Sequence, residues 1–290
     1  MFRGDNILTS PCSYQGGKQR LAKDIVDIIF SNNKINQDTK FFDLCCGSGA
    51  FSIELINRGI CPSNITMIDK GVFGEFWNQI ANNEFIIEDF ETEIKKLPSI
   101  EYLSEYLLNL SKQPVDKERK VYHYLLLQSG SFGSKQIWEE NGVWKNCSFR
   151  SFWQPTETSN RKSHVNPMMP MPNTILSRIK EIVDTCGGLI TGVCDWAEKA
   201  QYWIDDLLDN NAVVYIDPPY KSTTKYGFDF NSYEFVLQCW KNIPIYVSEG
   251  YKMNNIKDSW LLSSGRNKGN ISGYSKKKPV EEWLNLFSAI

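Results

Sequence analysis

The nine residues 212–220, Ala-Val-Val-Tyr-Ile-Asp-Pro-Pro-Tyr, carry the densest chemistry in the chain. Residues 213–216 are apolar or aromatic and read as a buried strand, which Asp217, Pro218, Pro219 and Tyr220 then bring to a stop. A proline has no backbone donor and a fixed φ, so the carbonyl of Pro218 is not committed to a continuing ladder. It is expected to face whatever cleft lies past the strand end. Asp217 and that carbonyl then make two acceptors side by side, with the flat ring of Tyr220 next to them. Such a set suits a planar heterocycle carrying an exocyclic NH2: each amine hydrogen finds an acceptor while the ring stacks on the tyrosine. A nucleobase amine is the natural ligand. Asp and Pro are also ordinary turn residues, so the tetrapeptide has to be weighed together with a second motif.

That second motif is the run Phe41-Phe42-Asp43-Leu44-Cys45-Cys46-Gly47-Ser48-Gly49-Ala50-Phe51. Its spacing predicts a strand over 41–44, a turn at Gly47-Ser48-Gly49 and a helix beginning near Ala50, the first βα unit of a nucleotide-binding α/β fold. A second short strand, 64–69, ends in Asp69 about 20 residues further on, where such folds hold ribose hydroxyls. No third glycine follows at dinucleotide spacing, so nothing is laid out to cradle a pyrophosphate. S-adenosylmethionine offers the ribose and adenine without it, and a dehydrogenase is disfavoured. Upstream, Gly16, Gly17 and Lys18 precede an amphipathic helix over 21–30; paired glycines let backbone approach a ligand, and Lys18 is placed to meet a carboxylate or phosphate.

The elements that must position these motifs alternate as strand and helix up to about residue 88 and again from about 185, with further strands at 188–196 and 243–249, a helix near 233–240 and a short segment at 281–287. Between them, 100–110 and 117–128 are helical, whereas 128–146 dissolves into glycine, asparagine and tryptophan with an Asn141-Gly142 bend that predicts a hairpin. Residues 155–172 are polar, then rich in Met and Pro, without periodicity. An insertion of this length and composition reads as a substrate-binding module.

Composition narrows the rest. In 290 residues, 41% hydrophobic content with nine Trp is enough for a packed core. No run of about 18 apolar residues occurs and the opening residues lack the apolar centre of a signal peptide, so the expected location is the cytoplasm of a bacterial or phage-infected cell, with no membrane partner. The eight cysteines form no CxxC and only His123 and His164 are histidines, so disulfides, a metal site and Cys/His catalysis are not expected. Net charge is −2, yet basic residues collect at 141–180, with Glu157 the only acid there, and at 260–280, where none occurs. Two basic patches on a near-neutral chain are compatible with a nucleic-acid footprint.

Tyr14-Gln15-Gly16-Gly17-Lys18, residues 43–51, Asp69, Asp195-Trp196 and Asp217-Pro218-Pro219-Tyr220, in this order, resemble the Dam-like (D12 class) N6-adenine DNA methyltransferases. The family carries Trp-Ala ahead of Gly-Gly-Lys where this chain has Tyr14-Gln15. The resemblance implies an α/β fold: a Rossmann-like class I methyltransferase sheet formed by residues 1–88 and 185–290, with a mainly helical DNA-recognition domain inserted at 89–184. It implies that Tyr14, Gln15, Gly16, Lys18, Asp43, Gly47, Ser48, Gly49, Ala50, Phe51, Asp69, Asp195 and Trp196 surround S-adenosylmethionine. It further implies that Asp217, Pro218, Pro219 and Tyr220 hold a flipped adenine. Double-stranded DNA is the expected partner, met by Lys135, Trp138, Asn141, Lys145 and Arg150 of the hairpin region, by Lys18, and by Lys221 and Lys225 beside the extruded base. A monomer is assumed. The alternatives are the same fold acting on cytosine N4, an RNA adenine or a protein glutamine, and a non-catalytic DNA-binding module.

Overall fold

The structure, a computed structural model, describes residues 7–14, 16–199, 211–220, 230–238, 243–263 and 281–287. Gln15, Lys221, Lys225 and the basic stretch 264–280 lie outside them. Numbered in chain order, strands β1 (Lys40–Leu44), β2 (Ile65–Asp69), β5 (Thr191–Cys194), β6 (Ala212–Ile216), β7 (Ile245–Glu249), β8 (Asp258–Ser263) and β9 (Glu282–Phe287) form one sheet. The spatial order is β5-β2-β1-β6-β7-β9-β8. The first five are parallel, and β9 enters antiparallel between β7 and β8. Strands β3 (Trp138–Glu140) and β4 (Val143–Lys145) make a separate hairpin.

Parallel strands covered on both faces read as continuous apolar runs, and alternate side chains serve opposite cores. Thus Phe41, Ile65, Met67, Val213 and Tyr215 join one buried cluster, and Phe42, Leu44, Ile68, Val214 and Ile216 join the other. On the first face pack α1 (Ala22–Asn32), α2 (Ala50–Asn57) and α3 (Val72–Ala81); α8 (Ser232–Gln238) covers the second through Phe235 and Val236. The inserted helices α4 (Ile87–Lys95), α5 (Leu103–Ser111), α6 (Lys120–Gly130) and α7 (Pro172–Cys186) extend the first cluster without a break, through Phe90, Leu107, Leu125 and Ile179. Edge-on aromatic contacts run outward from the sheet: Tyr14 to Phe73 at 5.2 Å and Phe73 to Tyr124 at 5.1 Å. A stacked contact from Tyr124 to Trp144 of the hairpin at 6.2 Å completes the line.

The hairpin bend forms as its sequence predicts, with Asn141 and Gly142 both left-handed at φ 54° and 76°, the backbone that a two-residue turn matched to strand twist requires. Two elements go beyond the sequence expectations. Helix α7 follows the Met/Pro-rich stretch, with Pro172 at its first turn and Ile175, Ile179, Ile182 and Cys186 buried along one stripe. Strand β8 is mostly half-buried, with no fully buried residue, and pairs only with β9 among the described strands.

Strand order decides where a ligand can go. The chain moves outward from β1 to β2 and β5 on one side and from β6 to β7 on the other, so a crevice opens beyond the carboxyl ends of β1 and β6. Leu44 is in register with Ile216, and the Asp217 N–H donates to the Leu44 carbonyl at 3.1 Å. The glycine turn and the Asp-Pro-Pro-Tyr stretch are therefore neighbours by topology.

Among the described residues, no helix is long and apolar enough to cross a membrane, and no group of three or more His, Cys, Asp or Glu side chains is arranged to hold a metal ion.

Candidate active site

A cavity open to solvent, about 890 Å3 when the space it shares with solvent is counted, lies in this crevice. Its walls include Tyr14, Gly16, Lys18, Asp43, Gly47, Ser48, Ala50, Phe51, Asp69 and Trp196 of the expected cofactor set, together with Asp217, Pro218, Pro219 and Tyr220. One open volume thus joins the glycine turn to the strand end carrying the tetrapeptide.

The turn is locked from behind. Cys45, Gly47 and Gly49 all take left-handed φ, at 60°, 49° and 75°, which coils the chain tightly between β1 and α2. The Trp77 indole donates to the Gly47 carbonyl at 2.9 Å. Asp69 accepts the N–H groups of Gly47 at 2.9 Å and Gly71 at 2.7 Å, tying the end of β2 to the turn. Burial raises the Asp69 carboxyl above its ordinary range, and those two N–H groups oppose the rise. Asp43 is fully buried and accepts the Ser52 hydroxyl at 2.7 Å. Burial pushes its carboxyl up to about 7, the Ser52 bond pulls it back, and the charges of Asp217 and Asp69 add to the rise.

Two features fit this end of the cavity to a bound molecule. A methyl group added at Gly47 would sit 3.0 Å from the Tyr14 ring, so the floor admits backbone and little else. The side-chain oxygen of Gln136, a buried residue on the cavity wall, has no hydrogen-bond partner among the described residues. A buried acceptor left unmade is costly, and a donor on a ligand would satisfy it.

At the other end Asp217 is met by Lys18, whose ammonium lies 2.5 Å from Oδ1, 3.4 Å from Glu282 Oε1 and 4.8 Å from the centre of the Tyr220 ring. Lys18 also donates to the Gly16 carbonyl at 2.9 Å. The Tyr220 hydroxyl donates to Glu282. Burial pushes Asp217 up to about 6; Lys18 lowers it and Glu282 raises it again. Glu249 at the end of β7 is likewise pushed up to about 6 by burial, with Asp217 and Glu282 adding to the rise. One lysine thus serves a group of three carboxylates.

Some expected positions turn out to do other work. Gly49 does not line the cavity: a Cβ there would come within 2.4 Å of the Trp77 ring and 2.8 Å of Met67, so its smallness serves packing. Asp195 also stands off the wall; it accepts the Trp196 N–H at 2.8 Å and pairs with Lys199 at 3.1 Å, which orients Trp196. Lys18 is only 5% exposed and committed to Asp217, so an internal ion pair replaces the expected DNA contact. Lys135 and Asn141 are exposed, Trp138, Lys145 and Arg150 are half-buried, and none of the five lines the cavity. Gln136, on the loop just before β3, is the hairpin-side residue that reaches it.

Sequence reasoning missed Glu249, Glu282, Gln136 and Trp77. Glu282 and Glu249 sit in strand segments with no motif around them; pairing of β7 with β6 brings Glu249 to Asp217, and pairing of β9 beside β7 brings Glu282. An acid inside an otherwise apolar buried strand such as residues 245–249 was the available cue.

A mostly parallel seven-stranded sheet with a glycine turn after its first strand and a cavity across the β1–β6 switch point defines a Rossmann-like methyltransferase fold. The profile of the D12 class N6 adenine-specific DNA methyltransferases matches residues 14–162, which is 149 of the chain's 290 residues, and the chain belongs to that family. The matched region holds the glycine turn and the hairpin and stops short of Asp217. Among solved structures, SMU.472, described as a candidate methyltransferase complexed with SAH, is similar at 11% identity and a TM-score of 0.32. The alignment covers 94% of this chain and 53% of that one, so the chain spans about half the length of that structure. No curated protein matches the sequence.

Proposed function

We propose that the protein methylates the N6 amine of an adenine extruded from double-stranded DNA at a short specific sequence. The observation that carries this reading is the continuity of one cavity from the Gly47 turn to Asp217-Pro218-Pro219-Tyr220. An adenine paired and stacked in a duplex exposes no attackable amine, so the base has to leave the helix, at a few kcal/mol, for a pocket that stacks and hydrogen-bonds it. Tyr220 supplies the stacking face. Lys18 occupies Asp217 Oδ1. The second carboxylate oxygen has no hydrogen-bond partner among the described residues and is the acceptor for one N6 hydrogen, with the Pro218 carbonyl for the other.

S-adenosylmethionine, when bound, supplies an electrophilic methyl group on a sulfonium. Tyr14, Ser48, Asp69 and Trp196 are the residues that would hold it, with Asp69 facing ribose hydroxyls. The chain's own contribution is orientation and charge. Holding both amine hydrogens turns the nitrogen lone pair out of conjugation, and the carboxylates stabilise the positive charge that develops on it. Asp217 is not required as a strong base, because the N6 proton becomes acidic only after the methyl arrives. In this reading the helices and hairpin within residues 89–184 recognise DNA, the remainder carries out transfer, and Lys135, Lys145, Arg150, Lys221 and Lys225 contact phosphates.

Incubating the protein with duplex DNA and the methyl donor, then digesting the product to nucleosides, is expected to yield N6-methyladenine. Methylcytosine, or methylation of RNA alone, would refute the substrate. Exchanging Lys135 and Lys145 for alanine is expected to flatten the salt dependence of DNA binding by about one unit of slope each.

A further inference from the structure

We propose that Glu282 is a positioning residue of the methyl-transfer site: it orients Tyr220 through its hydroxyl, anchors Lys18, and keeps the pocket around Asp217 negatively charged. The inference rests on the reading of Asp217 and Tyr220 as the amine-binding pair and adds a group that no motif contains.

Glu282 opens β9, with 14% of its side chain exposed. It accepts from the Tyr220 hydroxyl and shares the Lys18 ammonium with Asp217 at 3.4 Å. If holding the phenol were the whole task, a glutamine would accept the same hydrogen bond without placing another partly buried charge in the wall, so the carboxylate needs a further reason. The charge balance supplies one. Lys18 alone would cancel Asp217, and an amine gaining positive charge would then meet a neutral pair. Among the described residues, Glu282 draws on the same ammonium and Glu249 is close enough to feel both, so these groups together stay net negative where that charge develops. Asp217 is faced by Lys18 from the segment before α1, Asp43 from β1, Tyr215 from β6, Tyr220 beyond it, Glu249 from β7 and Glu282 from β9. Among these, Glu282 is the acid that touches both Lys18 and Tyr220.

Glu282→Gln separates charge from shape. It is expected to lower kcat ~10-fold with unchanged affinity for cofactor and for DNA, because the lost interaction acts on the developing charge. Removing a neighbouring anion also moves the Asp217 titration to lower pH, read directly by carbon-13 NMR of labelled aspartate with Asp217→Asn as the assignment control, and the acid limb of the rate profile follows. Glu282→Ala, which also releases Tyr220, is expected to lose more. An unshifted Asp217 titration overturns the role of Glu282 whatever the substrate. Equal losses in the Gln and Ala variants with weakened cofactor binding overturn it too, by reducing Glu282 to a structural contact. A shifted titration in a protein that methylates some other amine keeps Glu282 in place and refutes only the adenine reading.

Discussion

At the glycine-turn end of the cavity, Asp43, Gly47, Ser48, Ala50, Phe51 and Asp69 all come from β1, the turn after it, the start of α2 and the next strand. The tetrapeptide end gathers Lys18, Asp217 with Tyr220, Glu249 and Glu282 from four separate segments, with the lysine and the aspartate it pairs with 199 positions apart. Charge is handled differently as well. Asp69 is held by two backbone N–H groups, one from the turn and one from Gly71 just past its own strand, whereas Asp217 depends on an ammonium also claimed by another carboxylate. A site made of one local turn keeps its geometry as long as that turn is folded. One made of distant side chains depends on how charge is shared among them, so the two ends are expected to fail in different ways.

The sharpest separation comes from Asp217→Ala, expected to cut kcat by ~10^3-fold or more. Cofactor affinity by calorimetry should change by less than about 3-fold. A parallel collapse of cofactor binding would mean that the two ends are one unit. The converse is Gly49→Ala, where φ of 75° and the Trp77 ring 2.4 Å away leave no room. It is expected to cost ~2–4 kcal/mol in urea unfolding and to weaken cofactor binding, while kcat at saturating cofactor stays near that of the unmodified protein. Next in size is the pH profile. Asp217 has to be ionised to accept the amine hydrogen, and with its carboxyl at about 6 the rate should fall on the acid side of about pH 6. A rate that stays flat to about pH 4, an ordinary carboxyl range, would show that this carboxylate is not the acceptor.

Smaller is the effect of Asp43 on stability. Folded, it holds its proton up to about 7, against an ordinary 3.8. The native state therefore binds the extra proton, and the stability this contributes is full below about pH 4 and lost as pH rises through about 7. Asp43→Asn should remove that decline, read as a flatter plot of unfolding free energy against pH; an unchanged slope would place the titration elsewhere. Least is Lys199→Ala, which breaks a half-exposed pair with Asp195 and should alter stability by under ~1 kcal/mol.

The same contrast explains what the sequence made legible. The turn, the tetrapeptide and most strands could be read because each is a contiguous run whose residue types state its backbone: glycines where φ is positive, prolines where a ladder stops. The hairpin bend was readable from Asn141-Gly142 for the same reason. Helix α7 escaped because its apolar stripe of isoleucines begins directly after an aperiodic Met/Pro stretch. Glu282 escaped because nothing local distinguishes a glutamate at the start of a strand; its meaning lies in β9 sitting next to β7. Gly49 packs against Trp77 and Met67 and Asp195 caps Trp196, which the sequence did not reveal, since spacing fixes which turn a residue belongs to and only packing fixes what it meets.

The position of β9 has a consequence for how the molecule is held together. Both β7 and β8 precede it in the chain, and it lies between them with hydrogen bonds to each. Among the described strands, β8 joins the sheet only through β9, and β9 covers the edge of β7 that faces away from β6. It also places Glu282 against Tyr220 and Lys18. Continuity of the sheet and the surroundings of Tyr220 and Lys18 therefore depend on the same strand.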